Sequence, residues 1–172
     1  TFLCVHGNHE IRPQNIPEYT PQEWNGGRVF VEEAYPNILF AEDGEVYNIN
    51  GTKALVIGGA YSVDKFYRIQ RGFGWWADEQ PSEQTKQKVE AVIADCEDID
   101  IILSHTCPKK YIPTEMFLPM VDQSAVDSST EEWLDRIEDT VNYKVWYCGH
   151  WHTDKRIDKM HFLYKTFECL DD

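Results

Sequence analysis

The stretch VWYCGHWHTDKRI, residues 145–157, runs apolar for four residues and then sets two histidines either side of one tryptophan. Its first part has the form of a buried strand, a short apolar run closed by a glycine. The same form recurs in FLCVHG at 2–7, KALVIGGA at 53–60 and IDIILSH at 99–105. Four core strands therefore each end in a polar or Gly-rich turn.

Helices lead into two of these strands. After Pro81 and Ser82, Val89, Val92, Ile93 and Cys96 recur at i, i+3, i+4 and i+7 and mark one apolar helical face. Ser129 and Glu132 have capping-box spacing ahead of Trp133, Leu134, Ile137 and Val141. That alternation predicts an α/β layered domain. Between residues 28 and 58 the chain instead gives successive short strands, RVFVEE, NILFAE, EVYNIN and TKALVIG, parted by Pro-Asn, Asp-Gly and Asn-Gly turns. The last segment, DKRIDKMHFLYKTFECL, predicts a hairpin turning near Asp158 and Lys159. Two packed sheets with helices outside follow, in one domain spanning residues 1–172. Segment 61–82 is long for a loop in a compact domain, and such loops are often functional.

The composition narrows the function classes. Thirty acidic against sixteen basic residues give a formal charge of −14. Duplex nucleic acid is an unlikely partner for that balance, because phosphate neutralisation needs clustered Lys and Arg. Metal cations would reverse the local field and let an acidic chain hold a phosphate. No apolar run reaches membrane-spanning length. Cys4, Cys96, Cys107, Cys148 and Cys169 are odd in number and irregularly spaced, which predicts reduced thiols and a cytoplasmic setting.

Three predicted strand ends carry histidine: GNHE at 7–10, SHTCP at 104–108 and GHWH at 149–152. Open α/β sheets place ligands at the carboxyl ends of strands. In an extended segment His150 and His152 would point the same way, roughly 6.5 to 7 Å apart. So spaced, each can grip a different ion of a metal pair about 3.5 to 4 Å apart.

These three blocks, in this order, resemble the calcineurin-like metallophosphoesterase superfamily. Its signature runs Asp-x-His, Gly-Asp-x-x-Asp, Gly-Asn-His-Asp/Glu, a strand-end His, and Gly-His-x-His. The resemblance covers nearly the whole chain, and GGAYSVDKFYR with the following Trp75-Trp76 is similar to a bacterial and phage branch of it. It implies a four-layer α/β/β/α sandwich with a dinuclear metal site, and phosphate-ester hydrolysis by a metal-bound hydroxide. Asn8, His105 and His150 would ligate one metal and His152 the other. The ions are two divalent metals, Mn foremost, with Fe, Zn, Ni or Mg as alternatives. His9 would approach the substrate, with Glu10 orienting it, and Arg12 or Arg68 would hold the phosphate of a small phosphorylated substrate.

The Asp-x-His and Gly-Asp-x-x-Asp blocks have no counterpart here. The domain is therefore expected to lack its first strand-helix-strand at the N-terminus, and the enzyme, a phosphatase or phosphodiesterase, is expected to be inactive as this chain alone. Two alternatives follow: a binding or scaffold domain that keeps the fold without turnover, and a structural zinc site built on His105, Cys107, Cys148, His150 and His152. His6, His161 and Cys107 are expected to be structural, and Trp75 and Trp76 to serve packing.

Overall fold

A computed structural model describes residues 1–96 and 98–170; the last two positions of the expected domain lie outside the described residues. Ten strands form two sheets, with three α-helices among the described residues. The first sheet has the order β1 (Phe2–Cys4), β4 (Ile38–Ala41), β3 (Gly27–Glu32) and β2 (Tyr19–Trp24). The second runs β5 (Val46–Ile49), β6 (Thr52–Ile57), β7 (Ile101–Ser104), β8 (Val145–Cys148), β10 (Met160–Phe162) and β9 (Lys155–Ile157). Within it β6, β7, β8 and β10 are parallel, and hairpins close both edges.

Period-two alternation assigns each strand face to a layer. Val56 and Leu103 face the first sheet and join Val29, Val31, Leu39, Ala41 and Tyr47 in the core between the sheets. Their neighbours Leu55, Ile57 and Ile102 face the opposite way, packing with Trp146, Met160 and Phe162. Onto this second face lie α2 (Glu83–Asp95) through Val89 and α3 (Ser129–Thr140) through Trp133, Leu134 and Ile137. The result is the mixed α/β sandwich expected from the sequence. No described helix covers the outer face of the first sheet, where Phe2 and Ile38 pair across β1 and β4 and Cys4 pairs with Phe40. Among the described residues the arrangement is thus two packed sheets with α2 and α3 on the outer face of the second.

The local signals mostly act as read. The Asn50-Gly51 turn joins β5 to β6 with both residues at positive φ, the geometry that suits the twist of a tight hairpin. Ser82 caps α2 by accepting from the Thr85 N–H at 3.1 Å. The α3 start differs by one residue: Ser128 is the cap position, its hydroxyl donates to Glu132, and Asp127 accepts from the Ser129 N–H. The predicted Ser129–Glu132 box therefore does not form. Two elements go beyond the sequence reading. Strand β2 is an edge strand that tolerates Pro21 because its outer side needs no ladder, and α1 (Lys65–Arg71) lies within the 61–82 loop. No helix among the described residues is long and apolar enough to cross a membrane.

Trp133 has no exposed surface, and its indole N–H donates to Glu90 of α2 at 2.9 Å. Trp133→Ala is expected to destabilise the chain by about 3–5 kcal/mol. A urea titration checks this as a lowered midpoint with an unchanged slope.

Candidate metal centre

Strand ends from both sheets deliver the histidine-bearing blocks to one place. His105 follows Leu103 in the parity that faces the first sheet, and Asn8 arrives from the loop after β1. The His105 Nε2 lies 2.8 Å from Asn8 Oδ1 and 3.2 Å from His150 Nδ1. The two imidazoles meet edge to face with centroids 5.0 Å apart.

Asn8 is buried and its amide orientation is set from behind. Its Nδ2 donates to Ser62 Oγ at 3.0 Å, and that hydroxyl donates to the Asn8 carbonyl at 3.2 Å. Glu79 completes the support by accepting from the Ser62 N–H at 3.2 Å and from the Trp75 indole at 2.8 Å. Asn8 Oδ1 is thereby left to face His105. Gly59 lets these loops approach: its φ is 87°, and a Cβ there would sit 2.3 Å from the Glu79 carbonyl oxygen.

The expected extended geometry of His-x-His is not observed. His150 and His152 have φ of 64° and 51°, both left-handed. For residues other than glycine that conformation costs of order 1–3 kcal/mol and marks a constrained turn. Cys148 points into the helix-side core, where its thiol meets Met160, yet His150, of the same parity, turns to His105. The left-handed residue breaks the alternation, so spacing in sequence does not set the direction of these rings. His152 is exposed and stacks on Tyr164 at 4.8 Å. Asp154 clamps that neighbour by accepting from the Thr166 hydroxyl and the N–H groups of Tyr164, Lys165 and Thr166. Led by the Thr166 hydroxyl, those donors hold its carboxyl down to about 2.

His9 stands at the exposed rim. Its Nε2 is 3.2 Å from Asp64 Oδ1, and its Nδ1 is 3.4 Å from Arg68 Nη1. Glu10, expected to orient His9, instead accepts from the Gly7 N–H. Arg68 thus stands beside His9 at the exposed rim, whereas Arg12 does not. Arg12 is buried against Asp43, with Nε donating to the Asp78 carbonyl at 2.8 Å and Nη2 reaching the Glu79 carbonyl. Its guanidinium is consumed in holding loops together, and we place it among structural groups. Beside His9 a cleft of about 370 Å³ is walled by Tyr19, Phe40 and Trp76.

The thiols proposed for a zinc site lie elsewhere: Cys107 and Cys148 belong to the helix-side core, and all five cysteines are free. His161 is a cross-strand residue, held by Glu168 at 2.8 Å and packed on Tyr147. The sequence assigns no role to Ser62, Asp64 or Glu79; their signals are the length of the 61–82 loop and the resemblance carried by the stretch that contains them.

Among the described residues no three His, Cys, Asp or Glu side chains are grouped to hold a metal ion. The convergent atoms come from two histidines and an asparagine. Their chemistry nonetheless fits a cation. Asn8 Oδ1 has no proton to offer, and one proton on His105 Nε2 cannot serve Asn8 and His150 with two straight hydrogen bonds. Separations of 2.8 and 3.2 Å also match neighbouring ligand atoms on an octahedral ion with bonds of about 2.1 Å. Burial, reinforced by neighbouring imidazoles, pushes His105 down to about 3 and His150 to about 4, so both keep their lone pairs at neutral pH.

A family model described as calcineurin-like phosphoesterase matches residues 1–154. No curated protein and no solved structure matches the chain.

Two outcomes are expected. Unfolded histidine binds a proton near pH 6.5, while His105 and His150 resist until about 3 and 4. The unfolded state then holds more protons across that window, so metal-free stability falls as pH drops from about 6.5. Urea midpoints at about pH 7.5 and 5 should show the fall, and His105→Gln with His150→Gln should reduce it. Separately, Arg12→Ala should cost about 3–5 kcal/mol of stability, because it strands Asp43 as an unpaired buried charge.

Proposed function

From the premise that this chain belongs to the calcineurin-like phosphoesterase family, we propose that it hydrolyses small phosphorylated esters at the Asn8–His105–His150 centre. Members of the family act on phosphoesters with divalent metal ions. The observation that carries the proposal is the convergence of Asn8 Oδ1, His105 Nε2 and His150 Nδ1 within 3.2 Å of their neighbours.

Those three atoms would hold one ion. An amide oxygen beside two imidazoles suits Mn, Fe or Mg type ions, and Mn is our first choice. His152 is our assignment for a second ion, and it would leave its stack on Tyr164 to serve it. Bound divalent ions supply the acidity that ionises water and the charge that neutralises phosphoryl oxygens. The chain supplies the rest. Arg68 reads the phosphoryl oxygens as a fork of donors. His9 hydrogen-bonds the phosphoryl group or gives a proton to the leaving oxygen as the P–O bond to it breaks and water forms the new one. The cleft beside His9 gives that leaving group room. Free thiols support a cytoplasmic setting for the reaction.

The test is elemental analysis for Mn together with hydrolysis of aryl phosphate mono- and diesters. It is run on this chain and on a chain carrying Asp-x-His and Gly-Asp-x-x-Asp blocks upstream. Bound metal with turnover, both lost in Asn8→Ala and His150→Ala, is the expected result; His9→Ala should keep the metal and lose about 100-fold or more in kcat. Absence of metal and turnover from both chains would overturn the proposal in favour of a fold retained for binding.

A further inference from the structure

We propose that Asp64 is a positioning residue for His9, and that α1 exists to carry it together with Arg68. The inference rests on the phosphoesterase reading for its catalytic consequence, but its geometry stands apart from it.

Asp64 occupies the N-cap of α1, where an aspartate ordinarily turns its carboxylate back to accept from the first helical N–H groups. Here its side chain makes no cap hydrogen bond. One carboxylate oxygen instead meets His9 Nε2 at 3.2 Å, and the other meets Arg68 Nη1 at 3.4 Å. The same Arg68 nitrogen approaches His9 Nδ1 at 3.4 Å. Arg68 can only donate, so Nδ1 accepts and Nε2 carries the proton that is shared with Asp64. Both ring nitrogens of His9 are thus specified by two residues one helical turn apart; when Arg68 turns to the phosphoryl oxygens it leaves Nδ1 to face the leaving oxygen, while Nε2–H stays on Asp64.

Beyond Lys65 Nζ over the Trp75 ring, 4.3 Å from its centroid, little ties α1 to the rest of the chain. It buries no residue, and Phe66, Ile69 and Phe73 point outward with more than half their surface exposed. Apolar packing therefore does not anchor it. Its far end is tied by Arg68 again, whose Nε donates to the Gly74 carbonyl at 2.8 Å beyond the left-handed Gly72 that ends the helix. A single arginine thus couples the helix C-terminus to His9. The local cap is forgone for a contact made 55 residues away in sequence.

Two readouts test the proposal. The first is the imidazole N–H proton of His9 in the NMR spectrum of the metal-free chain, which a hydrogen bond to Asp64 protects from exchange with water. It is expected in the native chain and expected to vanish in Asp64→Ala. The second is the split between kcat and KM in the metal-loaded, active form. Asp64→Asn should lower kcat about tenfold or more with KM little changed, because the orientation of a general acid is lost. Asp64→Glu should restore part of it. Phe66→Ala, on the outer face of the same helix, should leave both readouts unchanged. A His9 signal that is absent from the native chain or survives in Asp64→Ala, an unchanged kcat in Asp64→Asn, or an equal loss in Phe66→Ala would overturn the proposal. Should no form of the chain turn over phosphoesters, the function fails while the NMR arm still decides the placement of His9.

Discussion

The buried Arg12–Asp43 pair is the contact on which the rest of the structure depends. Both side chains are nearly inaccessible, at 7% and 6% exposure. Two charges withdrawn from water are tolerated only when paired and fully hydrogen-bonded. Asp43 also accepts from the Gly58 N–H at the end of β6, and Arg12 takes two carbonyls from the segment ahead of α2. One ion pair therefore binds the exits of β1, β4 and β6 to the 61–82 loop. Glu79, whose carbonyl Arg12 reaches, supports Ser62, and Ser62 holds Asn8. The charge pair and the candidate metal ligand are three contacts apart.

The same economy shows in how the ligands are aimed. Strand alternation carries His105 inward, a side-chain network turns Asn8, and two left-handed residues bend the Gly-His-x-His turn until His150 meets them. Each donor is delivered by a different physical device. None relies on the long flexible side chains that would cost most to order.

Much of this was legible in the sequence, for reasons that differ by element. The buried parallel strands β6, β7 and β8 show as apolar runs because both their faces are covered. Helices α2 and α3 show as 3.6-residue stripes because each packs on one side only. Strand β2 escaped notice since YTPQEW alternates nothing and contains a proline, although the Asn25-Gly26 turn, both residues at positive φ, was a usable hairpin signal. Helix α1 escaped because its apolar residues face solvent. At the site, the histidine blocks and Asn8 converge as their positions suggested. The direction of His150 and His152 did not follow, because it depends on backbone dihedrals that residue spacing does not encode. Arg12 was recognised as a cation near the site, but its partner lies 31 residues on and carries no sequence mark.

The convergence of Asn8, His105 and His150 has a kinetic meaning. Asn8 and His105 are 97 residues apart, and His105 and His150 another 45. Antiparallel strand pairs and the α2 and α3 crossovers between parallel strands separate them, so no local segment can assemble the centre by itself. Loop-closure entropy must be met for both sheets before the three atoms become neighbours. A metal ion consequently has no partial site to capture during collapse. An ion that bound there would meet its donors only in the completed fold and would add its binding free energy to the native state alone.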